Sequence, residues 1–146
     1  MYWLAKSILH NNEDVKDAVQ EAVLTAYEKL DTLRDEHSFK PWIMRILANT
    51  AYSMIRRSKP NTDIDSLAEE LPAPQNEDRE ESMALWQAVR GLGESLRTVT
   101  VLFYYDDMPI KDISRALGIT EGTVKARLSR ARAKLRIAMS EQEETL

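Results

Sequence analysis

From Val15 onward, apolar residues recur at a spacing of three and four: Val15, Ala18, Val19, Ala22, Val23, Ala26, Tyr27 and Leu30. Four turns of this spacing predict one face of an amphipathic helix. It opens with Asn12 as N-cap and with Glu13 and Asp14 in the first turn, where carboxylates suit the helix dipole. A short helix over Tyr2–Leu9 precedes it and ends at His10-Asn11-Asn12. A third is predicted from Ser38 to about Arg57, with Pro41 tolerated in its first turn. Trp42, Ile43, Ile46, Leu47, Thr50, Met54 and Ile55 make its core stripe, and Arg45, Asn49, Tyr52 and Arg56 fall on another face.

The second half repeats the helical pattern after a break. Helices are predicted from about Glu81 to Gly91 and from Ser95 to Tyr105, separated by Gly91-Leu92-Gly93. Asp106-Asp107-Met108-Pro109 is a turn. Between the halves, residues 60–80 contain three of the five prolines and few large apolar side chains (Ile64, Leu67, Leu71). Low hydrophobicity with self-repelling charge predicts a solvated linker. The expected architecture is all-α. Two small helical modules, 1–59 and 81–139, are joined by an acidic flexible linker at 60–80 and followed by an acidic tail at 140–146. Modules this small are marginal alone, and the linker predicts that they move independently.

Charge sharpens this division. The 146 residues carry a net −4, but residues 1–60 are at +1, residues 61–83 at −7 and residues 84–146 at +2. Residues 123–138 hold Lys125, Arg127, Arg130, Arg132, Lys134 and Arg136 without one acid. No cysteine is present, which excludes a disulfide framework and Cys-ligated metals. Two histidines leave little for a His-rich metal site; His10 reads as a helix-end residue and His37 as a loop residue. No apolar run approaches the roughly 20 residues of a membrane span. The expectation is an intracellular protein with no metal, no cofactor and no catalytic residue.

The stretch Ile110 to Met139 is the most informative. Ile113 and Leu117 bury one face of a first helix, Gly118 ends it in the left-handed conformation, and Ile119 packs under the turn. Thr120 caps a second helix, with Glu121 at its positive end. Val124, Leu128, Ala131, Leu135 and Ala138 form the buried stripe of that helix. Lys125, Ser129, Arg132 and Arg136 lie opposite, flanked by Arg127, Arg130 and Lys134. This is a helix-turn-helix whose second helix suits a major groove, where phosphates supply affinity and Arg or Lys reads guanine. A solvated basic face on an ordinary helix hairpin is the plainer alternative.

This second module resembles region four of a bacterial sigma factor, the part that docks on the promoter −35 element. The first module independently resembles region two. Asp17-x-x-Gln20-Glu21 matches one family signature, and Phe39-x-x-Trp42-Ile-x-Arg45-Ile-x-x-Asn49 matches one characteristic of the extracytoplasmic-function subgroup. That subgroup contains only these two regions and a linker. Its pattern has a further helix before the segment that begins here at Tyr2.

The resemblance implies an alternative sigma factor that directs transcription initiation, regulated by an anti-sigma factor. It implies that Asp17, Gln20 and Glu21 grip the β′ clamp helices of core RNA polymerase, with the β subunit as a further partner. Leu33, Arg34, Ser38, Phe39, Trp42, Arg45 and Asn49 correspond to the −10 surface, where an unpaired base is held in a pocket. By position Trp42 and Phe39 are as readily core residues as DNA wedges. Thr123, Lys125, Ala126, Arg127, Ser129, Arg130 and Arg132 correspond to the −35 surface. The expected location is the bacterial cytoplasm, with no direct membrane insertion and with attachment to the membrane through an anti-sigma factor.

A helix-turn-helix repressor has no need of the Asp17–Glu21 and Phe39–Trp42 motifs. A protein-binding adaptor leaves the acid-free basic helix unexplained. An enzyme built on Asp106, Asp107 and Asp112 is disfavoured, because a turn before a helix accounts for them.

Overall fold

Asn11 and Asn12 divide two tasks at the start of the second helix in the computed structural model, which describes residues 1–57 and 77–144. The Asn11 side chain accepts from the Asp14 amide at 2.7 Å and is the N-cap, one residue earlier than expected. The Asn12 side chain instead accepts from Lys6 Nζ at 2.7 Å. Adjacent asparagines offer the same capping chemistry, and only the path of the preceding chain distinguishes them.

Seven α-helices form among the described residues: α1 (Tyr2–Ile8), α2 (Asn12–Glu28), α3 (Phe39–Arg57), α4 (Glu77–Arg90), α5 (Glu94–Thr100), α6 (Ile110–Leu117) and α7 (Glu121–Glu144). No strand is present among them, and the all-α expectation stands. Helix α4 begins four residues before the predicted start. Helix α7 continues through Glu144, into the stretch expected as a tail. Of the linker expected at 60–80, residues 60–76, with Ile64, Leu67 and Leu71, lie outside the described residues, and 77–80 belong instead to the first turn of α4.

The segment predicted as one α-helix from Ser95 to Tyr105 changes its winding. Beyond Thr100 it becomes a π-helical turn, Val101–Tyr105. The turn that follows is tight: Met108 N donates to Leu102 O at 3.0 Å, and Asp107 takes a positive φ of 53°.

Packing corrects two predicted stripes. On α2 the buried seam is Val15, Ala18, Ala22 and Ala26, with Val19 half-buried. Val23, Tyr27 and Leu30, expected to share that face, are exposed. Alanines let α2 and α3 approach closely, so a narrow seam suffices and larger side chains beside it are left outside. On α3, Ile43, Met44, Leu47, Ala48 and Ala51 are buried. Trp42, Ile46, Thr50 and Met54 are half-buried, and Ile55 is exposed.

The two modules share one hydrophobic core, where the sequence predicts independent motion. Helix α1 is the joint. Its residues Leu4 to Ile8 are all buried, and it packs on α2 and α3 on one side and on α5 and the π-turn on the other. Trp86 of α4 is 1% exposed and meets Trp3 of α1 and Tyr105 of the π-turn edge-on, with ring centroids 5.0 Å apart in each case. Such aromatic pairs contribute about 0.5–1.5 kcal/mol each beyond the area they bury. Tyr52 of α3 shares a hydrogen bond with Thr98 of α5 at 3.1 Å, and burial pushes its phenol up. His10 Nδ1 pairs with an Arg90 guanidinium nitrogen, closing a third contact between the modules. Among the described residues no helix is long and apolar enough to cross a membrane.

Candidate nucleic-acid interface

The turn between α6 and α7 is built by local chemistry. Gly118 has φ 68° and ψ 33°, a left-handed conformation that glycine adopts at little cost. The amides of Gly118 and Ile119 both donate to Ser114 O, at 2.9 and 3.2 Å, closing the end of α6. The Ser114 hydroxyl donates back to Ile119 O. Thr120 Oγ1 accepts from the Thr123 amide at 3.1 Å and caps α7 as expected.

With its ends fixed, α7 buries Val124, Leu128 and Ala131, and Leu135 and Ala138 are half-buried. Lys125, Ala126, Ser129, Arg130 and Arg132 are all exposed. Among the described residues no carboxylate lies within ion-pair distance of Lys125 or Arg130. Two members of the expected −35 set stand apart. Thr123 is half-buried, its hydroxyl engaged with Thr120 at 2.8 Å. Arg127 is half-buried in a cleft of about 480 Å³ beside Tyr52, Glu94 and Thr98, between the modules. The structure thus leaves five of the seven exposed, with Arg132 at the edge of that face, where it also lines the cavity between α4 and α7.

The expected −10 residues gather at the start of α3. Two 3₁₀ turns, Leu30–Thr32 and Glu36–Ser38, form the approach, and Asp35 Oδ1 accepts from the His37 amide at 3.1 Å to set the second. Arg34 is exposed, and Leu33 and Ser38 are half-buried. Phe39 is 43% exposed, and its ring centroid lies 6.0 Å from that of half-buried Trp42. Arg45 and Asn49 are exposed one and two turns further on. Two aromatics followed by a cation and an amide make a surface that can stack on a base and bond its free edge.

Asp17, Gln20 and Glu21 are exposed together on α2. Glu21 lies 3.7 Å from Arg57 of α3, an exposed pair. Beside the three polar residues run Val23, Leu24 and Tyr27; Leu24 is 65% and Tyr27 79% exposed. This apolar strip is the part of the surface that sequence reasoning missed. Its signal was there: Leu24 does not fit the buried spacing, and a leucine outside a stripe has no packing role of its own. An apolar strip rimmed by charge is what a protein-binding face looks like.

A cavity of about 700 Å³ opens between α4 and α7, lined by Trp3, Trp86, Tyr104, Tyr105, Arg132 and Leu135 among others. Among the described residues no group of His, Asp or Glu is arranged to hold a metal. Fold and surfaces together define a two-module all-α protein with a helix-turn-helix and two further open faces.

The comparisons agree with that class. Residues 1–60 match the Sigma-70 region 2 family, and residues 82–135 match the Sigma-70, region 4 family. The chain is 30% identical to RNA polymerase sigma factor SigV of Bacillus subtilis over 142 residues, covering 97% of this chain and 86% of the relative. It is 31% identical to the ECF RNA polymerase sigma factor SigW of the same organism over 151 residues, covering 93% and 81%. Among solved structures, the sigma factor RpoE of Bartonella quintana, in complex with the anti-sigma factor NepR, superposes with a TM-score of 0.74 and 25% identity. That superposition covers 94% of this chain and 88% of the other. CnrH, in complex with the cytosolic domain of CnrY, shares the fold with a TM-score of 0.72 and 24% identity, covering 96% and 80%. The chain belongs to the extracytoplasmic-function (ECF) RNA polymerase sigma factors, and its function is that of a transcription initiation factor.

Proposed function

We propose that this sigma factor works through three separate faces. The α2 face, Asp17, Gln20 and Glu21 with Leu24 and Tyr27, docks on the β′ clamp helices of core RNA polymerase, and the β subunit completes the contact. The start of α3, from Leu33 and Arg34 through Ser38, Phe39, Trp42, Arg45 and Asn49, holds unpaired bases of the −10 element. The open face of α7 enters the major groove of the −35 element through Lys125, Ala126, Ser129 and Arg130, with Arg132 on the phosphates; Thr123 and Arg127 border it.

One observation carries this reading: an exposed helix face holding Lys125 and Arg130 with no carboxylate of the described residues within ion-pair distance of either, set behind a turn closed by Gly118 and Thr120. Solvated helix faces ordinarily mix both signs of charge, and an unbalanced one suits a polyanion.

The shared core of the two modules supports a regulated protein. A partner that seats on both modules holds them together and denies DNA the spacing between the −10 and −35 faces. We assign that role to an anti-sigma factor in the cytoplasm, through which the chain is also held at the membrane.

The test is transcription in vitro. Core polymerase with and without the chain is offered a pool of randomised promoters, and transcripts are sequenced. Enrichment of one −35/−10 pair only when the chain is present supports the reading. Identical transcripts in both arms overturn it.

A further inference from the structure

Arg132 cannot be held by its own helix. From residue 123 to residue 138 α7 has no acidic side chain, so no carboxylate stands one turn away on either side. Yet Arg132 is anchored. Its Nε donates to the phenol oxygen of Tyr104 at 2.7 Å, 28 residues earlier in the chain. Nε carries a single N–H, so the two terminal nitrogens of the guanidinium stay available as a fork, the geometry that meets a phosphate with two parallel hydrogen bonds.

Tyr104 reaches that position through the irregular winding before it. It sits in the π-helical turn Val101–Tyr105, beside Tyr105. The two tyrosines part company: Tyr105 packs on Trp3 and Trp86 in the core, and Tyr104 is 49% exposed toward α7. A π-turn widens the helix, redirects the side chains it carries and is often found at functional positions. The Phe103 ring braces Tyr104 edge-on, with centroids 4.9 Å apart.

The choice of a phenol has a consequence for charge. A carboxylate at this place would hold the guanidinium equally well but cancel its charge. A neutral oxygen fixes the direction of the fork and leaves the full positive charge for an anionic partner.

We propose that Tyr104 is a positioning residue for DNA: it aims Arg132 at a backbone phosphate of the −35 element without touching DNA itself. This rests on the reading of α7 given above.

The experiment is a double-variant cycle in the holoenzyme, Tyr104→Phe, Arg132→Ala and the pair, with affinity for a −35 duplex measured at several salt concentrations. Tyr104→Phe removes one hydrogen bond and should weaken binding about 3- to 10-fold. It should lower the salt slope toward that of Arg132→Ala, which loses roughly one unit. The pair should bind no more weakly than Arg132→Ala alone. A structural role for the phenol would lower the melting temperature without moving the salt slope. Wild-type affinity in Tyr104→Phe overturns the proposal, as does a further loss when Tyr104→Phe is added to Arg132→Ala. If Arg132→Ala itself binds like wild type, the phosphate role of Arg132 falls, and that outcome is separate from a failure of Tyr104 alone.

Discussion

Lys40 Nζ donates to the backbone carbonyl of Asp106 at 2.5 Å, joining the first turn of α3 to the turn that introduces the helix-turn-helix. The two ends of this bond belong to different modules, 66 residues apart. Its removal therefore tests the joint between them. Lys40→Met keeps the aliphatic stem and deletes the donor, at a cost of about 1 kcal/mol. Amide exchange at Asp106 to Met108 should accelerate, and exchange within α2 should not. Unchanged exchange at the turn would remove this bond from the joint.

The same turn makes the joint sensitive to pH. Asp106 is buried, with Oδ2 lacking a partner. Burial pushes its carboxyl up from 3.8; the chain's amino group and Lys40 pull it down, and Asp107 adds to the rise. A raised folded-state value means stability that is fully present below 3.8 and lost as pH rises through the folded value. His10 acts with the opposite sign: burial, then Arg90, Arg97 and Lys6, hold its imidazole below 6.5. Its contribution is present above 6.5 and lost as pH falls through the lowered value. Asp106→Asn should melt higher than wild type at pH 7, by about 3 °C, with the gap closing toward pH 4. His10→Gln should flatten the loss on acidification. Both effects are read from melting curves across pH.

The turn of the helix-turn-helix was legible residue by residue, because Gly118 and Thr120 act on their immediate neighbours. At Gly118 a methyl group would meet nothing within 4 Å, so the cost of substitution comes from backbone conformation alone. Gly118→Ala should destabilise by about 1–2 kcal/mol, and Gly118→Asn by less, since asparagine tolerates the left-handed region. Chemical denaturation separates the two. Equal losses would point to packing instead.

What the sequence could not disclose depends on distant partners. Trp3, Trp86 and Tyr105 lie far apart in the chain, and nothing local says that they meet. The periodicity of α2 counted Val23 and Tyr27 as core because apolar type at helical spacing looks the same on either flank of a seam. The alanines at 18, 22 and 26 define the real seam by their small size. The π-turn likewise carries no spacing signal in five residues of Val-Leu-Phe-Tyr-Tyr.

The exposed strip on α2 yields a prediction about polymerase binding. Glu21→Lys reverses a charge and sets a second cation beside Arg57, yet an exposed pair contributes only about 0–1 kcal/mol to stability. Leu24→Ala removes an exposed side chain and leaves the core intact. Each should weaken binding to core polymerase by about 1 kcal/mol or more while the melting temperature holds within a few degrees. Binding equal to wild type in both variants would take α2 out of the interface.

The sharpest test lies along α7, where position separates reading from holding. Arg130 is exposed within the first three turns, the part of a recognition helix that enters the groove. Arg136 is exposed nearly two turns further on, where the proposed docking has the helix leave the groove and pass phosphates. Alanine suits both sites because it favours helix and adds no contact. Arg130→Ala should cost about 1–3 kcal/mol on the best −35 sequence and relax preference at one or two base pairs. Arg136→Ala should weaken every sequence alike and reduce the salt slope by roughly one unit. Holoenzyme competition on randomised −35 duplexes at two salt concentrations measures both. A uniform loss from Arg130→Ala together with altered base preference from Arg136→Ala would reverse the placement of α7 in the groove.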